Sequence, residues 1–218
     1  MAYLTVTWVE GALERYLRRR PEDTIMGKKI AFSPRHYLAA LLHIYTGCFS
    51  LGRIARLAGL SEEELRFQRA QIDFMSLVDY LRTRFAEWFR EHLLLRDYHP
   101  AEYGRIALEY CHLEEQVRSQ VRIPLLDQLK HLCYDLEDRL SAGKGLPPYD
   151  EHLFRRLLFF FLAAEGLKPT LSSRLVNRAR DLAERAYPGE FSRLELPSPE
   201  GFSEKLYQYL EEVLSHGA

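Results

Sequence analysis

Apolar residues in this chain recur at steps of three and four almost everywhere, and most regularly between residues 73 and 96. There Phe74, Leu77, Val78, Leu81, Phe85, Trp88, Phe89 and Leu93 fall on one side of a helical wheel. Asp79, Arg82, Arg84, Glu87, Arg90 and Glu91 fall on the other. A stripe with that period buries one helical face and leaves the opposite face to water. Asp97-Tyr98-His99-Pro100 closes the segment, because the residue before a proline avoids helical geometry. Strand-like alternation is weak, with residues 3–8 the one candidate. The chain is predicted to be all-α.

The remaining segments follow the same period. A first helix is expected over 9–20, ending before Pro21. Ser33 and Pro34 are the cap and first-turn proline of a helix reaching about residue 46, which Gly47 breaks. Residues 101–121 place Tyr103, Ile106, Ala107, Tyr110, Leu113, Val117 and Val121 on one face. Pro124 is expected to open the next helix, with Leu125, Leu126, Leu129, Leu132, Cys133, Leu136 and Leu140 as its apolar residues. Residues 141–148 (SAGKGLPP) read as a loop. Asp150 is the expected cap of a helix containing 157–164 (LLFFFLAA), apolar on all sides and so central to a core. Thr170 is the expected cap of a further helix to about residue 186. Residues 187–200, with three prolines, read as an extended connector. Phe202, Leu206, Leu210 and Val213 make a final amphipathic helix. The break near residues 97–100 divides an N-terminal region (1–97) from a C-terminal helical bundle (98–218), either as two domains or as a bend in one composite domain. No repeat at a fixed period is visible.

Residues 50–69 (SLGRIARLAGLSEEELRFQR) form a short helix, a glycine turn and a second short helix. Ile54 and Ala55 are placed to pack inside the first helix. Gly59 supplies the left-handed turn conformation that other residues resist, between Ala58 and Leu60. Ser61 and Glu64 make the S-x-x-E capping box that starts the second helix, and Leu65 faces inward. This pattern resembles the helix-turn-helix motif. The likeness covers these twenty or so residues, and with the helical periodicity elsewhere the fold expected is a multi-helix bundle with a helix-turn-helix-like corner followed by the long amphipathic helix. Gln68 departs from it, standing where a buried aliphatic residue is usual. The likeness places Ser61, Glu62, Glu63, Arg66 and Phe67 toward a DNA groove. Arg53, Arg56, Arg66 and Arg69 could reach the backbone, joined by Arg18–Arg20 if the fold brings them near. Binding of that kind draws on Lys and Arg neutralising phosphates, which two leading glutamates oppose. A glutamate can still accept from cytosine N4.

Charge is nearly balanced over the 218 residues, at a net −1. No global field therefore draws the protein to nucleic acid or to a membrane. The longest apolar run, 157–164, is too short to span a bilayer as a helix. The opening residues lack the basic start, apolar run and cleavage site of a signal peptide, so a cytoplasmic location and no membrane partner are expected. The cysteines, Cys48, Cys111 and Cys133, form no C-x-x-C pair, which argues against a disulfide framework and a cysteine zinc site.

The chemistry-bearing spacings are few. Glu109 and His112 make an E-x-x-H pair on one helix face. Asp127, His131 and Asp135 recur at steps of four on the next helix. Helical di-iron proteins use E-x-x-H twice with two further glutamates. Here facing helices could gather all five residues around iron, manganese or zinc, whereas the plainer reading is two polar helix faces. No phosphate-binding glycine loop, dinucleotide fingerprint or nucleophile elbow occurs. Cys111 and His112, being adjacent, point about a hundred degrees apart on a helix and make no thiolate–imidazole pair.

The leading expectation is a non-enzymatic regulatory or adaptor protein that acts through protein–protein contacts and needs no cofactor. A sequence-specific DNA-binding regulator using residues 50–70 is the second, and a metal-dependent helical enzyme the third. The aromatic stripe of the long helix would also suit a homodimer.

Overall fold

In a computed structural model, residues 4–19, 23–25, 28–30, 32–45, 48–168, 173–191 and 194–216 are described. Ten α-helices run through them: α1 (Leu4–Arg19), α2 (Pro34–Leu42), α3 (Leu51–Ala58), α4 (Glu62–Arg69), α5 (Ile72–Leu95), α6 (Pro100–His112), α7 (Glu115–Ser141), α8 (Pro148–Leu167), α9 (Ser173–Ala186) and α10 (Phe202–His216). The protein is an all-α multi-helix bundle. Its one sheet among these residues is a two-stranded antiparallel one, β1 (Asp23–Ile25) with β2 (Lys28–Ile30), Thr24 standing opposite Lys29.

Residues 4–8 of the candidate strand are instead the start of α1. Thr5, Val6, Trp8, Val9 and Ala12 are its buried residues, a helical set rather than an alternating one. Trp8 is held there by the edge of Phe85, with ring centroids 5.1 Å apart. The predicted cap at Ser33 forms, its hydroxyl accepting from the His36 amide at 3.3 Å. The helix then tightens into a 3-10 turn at His43–Tyr45. Gly47 lies outside the described residues, as does Thr170.

Two expectations for the second half are corrected. The helix predicted over 101–121 is interrupted at residues 113–114. The Glu114 amide donates to the Ile44 carbonyl at 2.8 Å rather than to the carbonyl four residues before it. Pro124 opens nothing. It lies inside α7, where its missing N–H leaves the Gln120 carbonyl without its helical donor. Arg90 of α5 fills that vacancy, Nη1 donating to the Gln120 oxygen at 2.6 Å. Asp150 likewise is not a cap. Pro147 takes that position without a side-chain bond, and Asp150 and Glu151 sit in the first turn of α8, where the helix dipole favours negative charge.

The chain divides into two compact units. The first comprises Met1–Ala86, His112–Val117 and Glu200–Ala218; the second comprises Glu87–Cys111 and Arg118–Pro199. A single cut at residue 97 does not reproduce this division, because α10 belongs with the N-terminal helices. The first unit packs α1 on α2, α2 on α3, α3 on α4 and α10 on α3. Its core includes Leu41, Leu42, Ile44, Ile54, Leu65, Phe74, Leu77, Phe85 and Leu206. The second unit is centred on α8, whose Leu157 to Phe161, Ala163 and Ala164 are all buried. Phe160 meets Phe89 and Tyr110 edge-on.

Candidate interaction surface

The helix-turn-helix-like corner forms as the sequence specifies. The Ser50 hydroxyl caps α3 by accepting from the Arg53 amide at 3.3 Å. Gly59 takes φ 67°, in the left-handed region, and the Leu60 amide closes the turn on the Ala55 carbonyl at 2.9 Å. Arg35 braces the turn from α2, Nη1 donating to the Gly59 carbonyl at 3.2 Å. Both halves of the capping box are present: the Glu64 amide donates to Ser61 Oγ at 3.1 Å, and the Ser61 amide donates to Glu64 Oε2 at 2.8 Å. The backbone and side chain of Ser61 hold the Glu64 carboxyl below its usual range. Ile54, Ala55, Ala58 and Leu65 are buried, and Gln68 is half-buried.

Two of the four arginines on this surface are paired inside the chain. Arg53 turns toward α10, Nη2 reaching Glu204 Oε2 at 2.6 Å, with its guanidinium 4.7 Å above the Tyr207 ring. Arg66 pairs with Glu62 one helical turn away. Arg56 and Arg69 are exposed, as are Ser61, Glu62, Glu63 and Glu64. The side chains of Arg18 and Arg19, and Arg20 as a whole, lie outside the described residues. Between these charges stand two uncovered apolar groups. Phe67 on α4 is 65% exposed and Ile72, which begins α5, is 77% exposed.

The same unit buries the polar side chains of Arg82 and His43. Arg82, on α5, donates from Nη2 to Glu114 Oε1 at 3.0 Å and from Nη1 to Asp79 at 2.8 Å and Gln116 at 3.2 Å. Its Nε also stands 2.8 Å from Glu114 Oε2, a charge contact without hydrogen-bond alignment. His43 is buried edge-on to Phe74, and its Nε2 has no hydrogen-bond partner. Burial, with help from the positive charges of Arg69 and Arg82, lowers its pKa to about 4.

The five candidate metal ligands are not gathered. Glu109 is buried at 4% exposure in the second unit. In the first unit the His112 ring lies 4.4 Å from Phe202, and its carbonyl accepts from the Cys48 thiol. Asp127, His131 and Asp135 occupy the exposed face of α7, opposite the buried Leu125, Leu129, Cys133 and Leu136. Among the described residues no group of three or more His, Cys, Asp or Glu is placed to hold a metal ion. Helical spacing aligned each set on its own helix but carried no information about which face turned inward. The cysteines are free thiols, and burial pushes Cys133 up to about 11 and also raises Cys111.

Sequence reasoning missed Glu204 and Tyr207. They cover Arg53 from 151 positions away in the case of Glu204, a separation at which no local pattern gives a signal. Among the described residues no helix is long and apolar enough to cross a membrane. Comparison with protein-family models, curated proteins and solved structures returned no match.

Proposed function

We propose that the chain is a non-enzymatic regulatory or adaptor protein that binds a protein partner at the α4–α5 corner. The observation behind this reading is the presence of exposed Phe67 and Ile72 on a surface where Arg53 and Arg66, two of its four arginines, are paired within the chain. Exposed aromatic and aliphatic groups in a charged rim suit a protein interface. A phosphate backbone needs uncommitted Lys and Arg instead.

A second reading, a sequence-specific DNA-binding regulator, has exposed Arg56 and Arg69 in its favour. Mobility shift of a random-sequence duplex pool at low salt separates the two. The adaptor reading expects no shift. It also expects protein partners recovered by the wild type to be lost with Phe67→Asp while far-UV circular dichroism is unchanged. A salt-sensitive shift abolished by Arg66→Glu overturns it. A second copy of the chain is one candidate partner, and sedimentation velocity over a concentration series identifies it.

A further inference from the structure

We propose that the outward face of α4 is a self-association surface, on which a second copy of this chain packs with its own α4 antiparallel to the first. The inference rests on the corner being a protein-binding surface, and it names the partner. Leu65 is the one buried side chain of α4, and Gln68 is half-buried. Glu63, Phe67 and Ala70, spaced four and three apart, line the outward face, with exposed Arg66 and Arg69 along its edge. The apolar stripe of the long helix cannot serve the same purpose, because Phe74, Leu77, Leu81 and Phe85 are buried in this chain.

Charge selects the occupant. Glu62, Glu63 and Glu64 fill the first turn of α4, and Arg66 and Arg69 fall in its last turn. Such a helix repels a parallel copy of itself and complements an antiparallel one. A uniformly acidic or basic partner would leave one end of α4 facing like charge. A two-fold axis needs this self-complementary pattern, since every contact across it is made twice. With the axis between Arg66 and Phe67, Glu63 of each copy stands beside Arg69 and Ala70 of the other. Glu63 and Arg69 are the charges left for this role, as neither has an ion pair among the described residues. Glu62 and Arg66 pair with each other, and Glu64 is held by the Ser61 amide. The same register sets Phe67 across from Arg66 of the other copy, where a guanidinium is attracted to the ring face. One short helix buries little area, so the dimer is weak and forms as concentration rises.

Sedimentation velocity of the full chain, from micromolar to near-millimolar concentration, tests this with charge reversals. Glu63→Arg and Arg69→Glu should each weaken dimerisation about tenfold, because each sets like charges together at both ends of the interface. An equimolar mixture of the two variants should restore association, since one copy then carries arginine at both positions and the other glutamate. That rescue also shows that both variants are folded. Phe67→Asp should remain monomeric throughout. A wild type that stays monomeric overturns the proposal, while the protein-partner reading is judged separately, by duplex binding and by the partners that Phe67→Asp loses. A dimer that survives Phe67→Asp or both reversals overturns the proposal too, and so does a mixture that fails to rescue.

Discussion

Two side chains show how much a single group contributes here. Neutral His43 is accommodated without a partner for Nε2, whereas the protonated ring would be a buried cation beside Arg69 and Arg82. Its folded pKa of about 4 lies below the ordinary 6.5, so the unfolded chain binds the extra proton first. Stability is therefore full above pH 6.5 and falls as the pH drops toward 4, by roughly 3 kcal/mol in all. His43→Phe keeps the ring against Phe74 and removes the titration. Urea unfolding between pH 7 and 4 should lose that part of its slope, and an unaltered slope would assign the acid sensitivity elsewhere. Ser61 is the second case. Ser61→Ala removes the hydroxyl that caps α4 and should cost about 1 kcal/mol. The accompanying loss of protection in hydrogen exchange should be confined to the first turn of α4. The capping box was legible from Ser61 and Glu64 alone because both partners lie within one helical turn.

At the scale of elements, α7 tolerates a proline because another helix supplies what the proline lacks. An interior proline costs about 3 kcal/mol, partly through an orphaned carbonyl. Arg90 caps that carbonyl at 2.6 Å. Arg90→Ala should destabilise the protein by about 1–3 kcal/mol when Pro124 is present. It should cost less in a Pro124→Ala background, where an amide returns to the Gln120 carbonyl. A double-mutant cycle by chemical denaturation measures this coupling, and additive effects would show that Arg90 acts only through packing. The α3–α4 corner was readable because a glycine at φ 67°, two serine caps and four inward residues are all local. The helix break at residues 113–114 was not. There the Glu114 amide donates to the Ile44 carbonyl, a partner far away in sequence.

The chain forms two units, each assembled from segments that are separated in sequence. Both ends of the sequence contribute to the first unit, and α5 begins in the first and ends in the second. An unbroken helical ladder along α5 is lost at the boundary if one unit unfolds alone. A single calorimetric transition is expected, with equal van't Hoff and calorimetric enthalpies. Two separable transitions would show that α5 frays at its midpoint without consequence. Burial also determined the fate of the candidate sites. Glu109 went into a core, and Asp127, His131 and Asp135 went to solvent. Arg53 was taken by Glu204 and Tyr207.

What the sequence by itself determined was the helical nature of the chain, its central apolar helix and the shape of the corner. Each depends on period, caps and turn conformation, which act over a few residues. Tertiary structure alone decided which polar groups are spent internally, that α10 returns to the N-terminal unit, and that residues 195–197 lie against Gly104 and Gly166. Those outcomes depend on contacts between residues far apart in the chain, which neither helical period nor local capping encodes.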